Sequence, residues 1–143
     1  MATRSMIGLS DGKAIVAIYC HYDGYPQHVG RILFENYDSV DKVQELLKLG
    51  NLSSLGKEIG EKQDFNNPTD RDWCLAYGRD RGERNQEAKS FHSLFYAANH
   101  FDHCDYFYVF EDNRWQFMRN GNKNLIPLEE EHIWSFLYNW INY

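Results

Sequence analysis

The sequence is poor in cysteine. Cys20, Cys74 and Cys104 are the only three. They are odd in number, widely spaced and without a CxxC pair, which excludes a disulfide framework and the spacing of a structural zinc motif. They read as reduced thiols that serve as small buried apolar groups. No apolar run reaches the length of a membrane span, and the N-terminus lacks the apolar core of a signal peptide. The expectation is a soluble, intracellular protein with no membrane contact. Basic residues are also few: 15 Lys and Arg stand against 21 Asp and Glu, a net charge of −6. That balance argues against general nucleic-acid binding, although a local basic patch stays compatible with it. No repeat, linker or low-complexity tract interrupts the 143 residues, so one domain with a single core is expected.

Aromatic residues are abundant. Ten Tyr, nine Phe and four Trp make up 16% of the chain, enough both to fill a core and to leave flat amphipathic surface for binding. Their placement predicts an α+β fold, a mostly antiparallel sheet with helices packed against it. Ser5 to Leu9 and Ala14 to His21 read as a hairpin around Ser10-Asp11-Gly12. The second of these strands is apolar on both faces and so belongs inside a sheet. Val29, Ile32, Leu33 and Tyr37 recur at helical spacing, which predicts a helix from Pro26 to Tyr37. A second helix starts from Asp38 or Ser39, buries Val40, Val43, Leu46 and Leu47, and closes at Gly50. Residues 51–72 read as irregular. Trp73 to Tyr77 reads as a short strand followed by a charged turn, and Gln86 to His100 as a helix. Tyr106 to Phe110 opens a second hairpin turning at Asp112-Asn113. Glu129 to Asn142 reads as a C-terminal helix with an acidic first turn.

Two stretches carry candidate chemistry. In "AIYCHYDGYPQHVG", Cys20 and His21 are neighbours on a strand and point to opposite faces, so they do not share one metal ion. His21, Asp23 and His28 are the remaining metal candidates, with His100, His103 and Cys104 as a second group. Neither has a recognised ligand spacing, and the sequence predicts no metal and no cofactor. A strand cysteine such as Cys20 is more often inert than nucleophilic. The plainer reading is a corner: strand end, sharp bend at Gly24, helix start at Pro26. Even so, Tyr22, Tyr25 and His28 gather polar-capable groups at that corner. In "YGRDRGER", Arg79 and Arg81 either form a solvated loop laced with Arg–Asp pairs or present two guanidinium forks to phosphate. The Lys-Ser/Thr of a P-loop is missing. Arg114 and Arg119 lie near Trp115 and Phe117, where a guanidinium beside rings grips bases or merely decorates a surface.

"RSMIG", "IYCHYDGYPQHVGRIL", "LGNLSSLG" and "YGRDRGE", in that order, resemble a family of small proteins scattered through tailed-phage genomes. The family pattern runs RSxIG, YCHWDGYPxHVG, LGxLSxLG and YxRDRGE. The match spans roughly residues 4–83, and "YVFEDNRWQF" resembles the family's closing hairpin. Tyr22 stands where the family usually has Trp. The resemblance implies a phage accessory protein acting in the host cytoplasm. It extends to the phage Thoeris anti-defence proteins, oligomeric sponges that capture a cyclic ADP-ribose signal without cleaving it. On that footing the chain is a non-enzymatic protein, in a homo-oligomer, whose partner is a nucleotide-type small molecule. Tyr22, Tyr25 and His28 would contact base or ribose, and Arg79, Arg81 and Arg114 would hold phosphates. The alternatives are an inhibitor that binds a host protein through an aromatic surface, and a small hydrolase using a metal at His21, Asp23 or His28.

Overall fold

The structure, a computed structural model, describes residues 2–134. Its centre is the hairpin of β1 (Ser5–Ser10) and β2 (Ile15–Cys20), paired antiparallel from Ser5–Cys20 to Ser10–Ile15. Asp11 shapes the turn, its Oδ1 accepting from the Lys13 and Ala14 N–H groups at 2.8 and 2.9 Å. The second hairpin, β6 (Tyr106–Glu111) and β7 (Arg114–Arg119), turns at Asp112 and Asn113. Both turn residues are left-handed, with φ of 52° and 63°, the two-residue geometry whose twist matches that of the flanking strands.

β6 joins β1 in parallel, so the two hairpins merge into one sheet. β3 (Leu52–Ser54), β4 (Leu75–Ala76) and β8 (Ile126–Pro127) complete the order β4-β3-β2-β1-β6-β7-β8. The outer edge of β2 is shared. β5 (Lys89–Phe91) pairs antiparallel with its first half, and β3 meets it in parallel at Cys20–Leu52. Between them the Asn51 side chain stands in for a strand, its Oδ1 accepting from the Tyr19 N–H at 2.9 Å. The fold is thus α+β with a mostly antiparallel sheet, made mixed by the parallel β1–β6 and β2–β3 pairs.

Side-chain alternation sends the strands' residues to two cores. Ile7, Ile18, Cys20, Tyr108, Phe110, Trp115 and Phe117 pack on one face, with Leu33 of α1 (Arg31–Asn36), Val43, Leu46 and Leu47 of α2 (Val40–Lys48) and Ile133. On the other face Met6, Ile15, Ala17, Phe107 and Val109 pack under Ala97 of α4 (Leu94–His100) and Phe101. Strands buried on both faces read as continuous apolar runs, which is why "AIVAIYC" and "YFYVF" look as they do.

Local chemistry sets the helix limits. Ser39 caps α2, accepting from the Lys42 N–H, and Gly50 ends it with φ +74°, a conformation that costs a glycine little. The helix expected from Pro26 to Tyr37 begins instead as a π-turn, Pro26–Gly30, and becomes α-helical only at Arg31. The strand expected at Trp73 to Tyr77 is only Leu75–Ala76, and the charged turn after it is helical: α3 (Tyr77–Arg81), closed by Gly82 at φ +70°. The helix expected from Gln86 begins at Leu94. Its first part is β5, where Phe91 pairs opposite Ile15 and its ring packs on Phe101. The free edge of β2 overrides the weak helical spacing there. β3 and β8 were not legible, being two or three residues long. α5 (Glu130–Trp134) starts where the C-terminal helix was expected, and the rest of that expectation, to Asn142, lies outside the described residues.

Candidate functional site

β2 ends at Cys20, and the chain then turns a tight corner. Gly24 passes directly over the start of β1: a Cβ there would stand 2.9 Å from both Ser5 Cβ and Thr3 O. Its carbonyl accepts the Tyr108 hydroxyl at 2.7 Å across the sheet. Asp23 takes a left-handed backbone, φ 57°, and the π-turn follows. Asp tolerates that conformation better than most residues, and π-turns recur at functional sites. Together they aim Asp23 and His28 into one cleft of about 300 Å3. Ser54, Leu55 and Leu75 also line it, and the 59–72 loop and its neck add Gln63, Pro68, Asp70, Arg71 and Trp73 as a further wall.

The other corner residues divide between this pair and the far side of the strand end. His21 turns to the other side of the strand end, where its Nδ1 meets the Tyr19 hydroxyl at 2.7 Å. Burial, then the Arg4 charge, lowers its pKa, and burial pushes the Tyr19 phenol up to about 12. Tyr22 is half exposed and sets its ring edge-on to His21, with centroids 4.5 Å apart. Tyr25 stays beside Asp23 and His28: its ring lies 6.2 Å from that of His28, and burial, then the Asp23 carboxylate, raises its phenol; it also borders a second cleft of about 280 Å3 with Thr3, Asp105, Tyr106 and Arg119. Of the three expected corner contacts, His28 alone lines the Arg71 cleft. Among the described residues no three His, Cys, Asp or Glu side chains converge as ligands; His21 is held by Tyr19 while Asp23 and His28 share the cleft.

The arginines depart further from expectation. Arg79 and Arg81 were expected either as a solvated loop laced with Arg–Asp pairs or as two forks on one face that hold phosphate. On the helical turn of α3, residues two apart point roughly 200° from each other. Arg79 turns inward. Its Nε and Nη2 reach the Asp80 carboxylate at 2.9 and 3.1 Å, and its Nη1 and Nη2 donate to the carbonyls of Ile59 and Cys74 at 2.8 and 2.7 Å. The Asp80 side chain is fully buried and also accepts the N–H groups of Gln63 and Ala76 at 3.0 and 2.7 Å. Burial alone would raise its carboxyl; the Arg79 and backbone hydrogen bonds outweigh that and hold it below the usual carboxylate range. Arg79 is therefore a structural clasp with little left for phosphate. Arg81 lies over the rings of Phe65 and Tyr77, 4.4 and 4.8 Å from their centroids, and pairs with Glu83. Arg114 sits at the far end of β7: Arg119 is the residue in register with Tyr106, Ser5 and Cys20, and Arg114 lies roughly 17 Å further along the strand. It does not join the corner.

Cys20, Cys74 and Cys104 are all buried. Burial drives the thiols of Cys20 and Cys104 up to about 12 and raises that of Cys74, so all three stay protonated and unreactive at neutral pH.

Sequence reasoning missed Arg71 and Trp73. The signal was present, a cation and an indole two residues apart directly before "CLAYGRDRGE", but the segment carries no periodicity to place it. Among the described residues no partner takes up the Arg71 guanidinium. Compared with family models, with curated proteins and with solved structures, the chain matches none.

Proposed function

We propose that this chain is a non-enzymatic, phage-encoded counter-defence protein that captures a nucleotide-type signal of the cyclic ADP-ribose kind in the host cytoplasm. The observation that carries the reading is the cleft in which Asp23 and His28 face Arg71 and Trp73. Its volume lies at the lower end of the range for small-molecule sites, so it holds one nucleotide half and leaves the remainder over the exposed corner. Arg71 offers an unengaged guanidinium fork to phosphate. Trp73 and His28 offer ring faces to a base, and the Asp23 carboxylate accepts from ribose hydroxyls. Capture asks for complementary donors and stacking only, with no positioned nucleophile or general base. The phosphate role expected of Arg79 and Arg81 passes to Arg71.

Calorimetric titration with ADP-ribose and cyclic ADP-ribose tests this, with mass spectrometry of the heat-released ligand. Intact ligand should be recovered, and Arg71→Ala should weaken binding roughly ten- to a hundredfold, the loss of one charge-assisted contact. Wild type that binds neither compound, or releases cleaved products, would sink the reading.

The second reading, an inhibitor of a host protein, has its own observation. Phe95 and Tyr96 of α4 are 69% and 57% exposed, side by side on the face opposite the first core, and exposed aromatics of this kind anchor protein interfaces. Phe95→Asp with Tyr96→Asp should abolish host-protein capture under this reading and leave nucleotide titration unchanged under the first.

A further inference from the structure

The far wall of the cleft is a loop, residues 59–72, with little regular structure. Its neck is closed where Glu58 pairs with Trp73: the Glu58 N–H donates to Asp72 O and the Cys74 N–H to Glu58 O, both at 2.9 Å. Most of its residues are exposed, but Gln63 is buried, only 8% exposed. One side chain therefore fills the inside of the loop. The Gln63 Oε1 accepts the N–H groups of Thr69 and Asp70 at 3.2 and 3.4 Å, and its Nε2 donates to Cys74 O at 3.3 Å. Its own N–H donates to Asp80, the carboxylate clasped by Arg79.

We propose that the loop is the moving wall of the cleft and that Gln63 is its latch, a positioning residue that fixes where Arg71 and Trp73 stand opposite Asp23 and His28. The Arg79 Nη1 holds the start of the loop at Ile59 O, and the Phe65 ring rests against Tyr77 and under Arg81; the arch carrying Arg71 is tied to the inside of the loop through Gln63 Oε1, at Thr69 and Asp70. The sheet strands are secured by ladders of pairs and by two cores. A segment tied by few hydrogen bonds, with Ile59 and Phe65 as its apolar anchors, opens at a lower free energy than a core closed on both faces of a sheet. The Arg79–Asp80 clasp is the fixed post to which the latch is tied, which gives "RDRG" a role at the cleft without touching ligand. A ligand bridging Asp23 and Arg71 would hold the wall shut, so binding and latching would be linked. The ligand part of this rests on the capture reading above; the latch does not.

Hydrogen exchange resolved by residue tests it. In the wild type, Thr69 and Asp70 should share one protection factor, at least tenfold below those of β1 and β6. Gln63→Ala should speed both at least tenfold while β1 and β6 are unchanged, with Arg114→Ala as the control that alters neither. Equal protection in loop and sheet in the wild type, or a Gln63→Ala variant that loosens both alike, overturns the latch. The wild-type measurement decides even where the variant does not fold. With ADP-ribose as probe, the loop should gain protection in the wild type and less of it in Gln63→Ala. If the wild type does not bind ADP-ribose while loop exchange remains local and Gln63-dependent, the capture reading fails and the latch stands.

Discussion

Asp80→Asn separates a structural clasp from a ligand-binding loop. The wild-type carboxylate accepts four hydrogen bonds, two from Arg79 and one each from the Ala76 and Gln63 N–H groups, with no exposed side-chain surface. Asn keeps one acceptor oxygen and turns an NH2 toward N–H groups that also donate. Removing one member of a buried ion pair costs about 3–5 kcal/mol, because the other charge is left uncompensated. Arg79 is 18% exposed and keeps its two carbonyl acceptors, which places the cost at the lower end, about 3 kcal/mol. Urea unfolding of both proteins reads it as a fall in midpoint at constant slope. The pH dependence gives an independent check. The folded-state pKa of Asp80 is depressed, so its contribution is present above the unfolded carboxylate value near 4 and is lost as pH falls from there through the folded value. The stability difference between wild type and variant should therefore be full at pH 6–7 and shrink below about pH 4. A loss under about 1 kcal/mol, or a difference that does not change with acid, would refute the clasp. It would return Arg79 to the list of surface cations.

Arg79→Ala should destabilise by about 2–4 kcal/mol on the same argument, whereas Arg114→Ala, at an exposed strand end, should stay within about 0.5 kcal/mol; thermal melts of both decide it. Trp115→Phe removes the Nε1–H that donates to Tyr37 O at 2.8 Å, and the orphaned buried carbonyl should cost about 1–3 kcal/mol. A thiol reagent at pH 8 should find no fast-reacting cysteine in the native protein and three after denaturation, since the folded thiols are buried and protonated; one fast native thiol would contradict that. Gly24→Ala should destabilise by about 1–3 kcal/mol, because its Cβ would press on Ser5 of β1 and on the Thr3 carbonyl before it, and calorimetric melting measures it.

What the sequence made legible follows the strength of the local signal. Both hairpins were readable because their turns are chemically specified: Asp11-Gly12 by an Asx bond, Asp112-Asn113 by residues that tolerate positive φ. α2 was readable because its cap, apolar face and closing glycine agree. β3, β5 and β8 were not, because strands of two or three residues exist only where a neighbouring edge accepts them. That is a tertiary condition with no local code.

The candidate site was half legible for a related reason. Sequence reasoning gathered polar groups by proximity along the chain. The corner is instead divided by its own geometry: alternation puts His21 with Tyr19, the left-handed Asp23 and the π-turn send His28 into the cleft, and Tyr25, beside both Asp23 and His28, lines a second cleft with Arg119. Charge density misled in the same way. "RDRG" read as an anion grip as readily as a loop of Arg–Asp pairs because two arginines stood close, but α3 points them roughly 200° apart, and the intervening Asp80 draws Arg79 inside. Arg71, in a segment without periodicity, has no partner for its guanidinium among the described residues and lines the cleft. An arginine's availability is thus set by which way the backbone points it, inward to Asp80 for Arg79 and into the cleft for Arg71, and that is settled one level above the sequence.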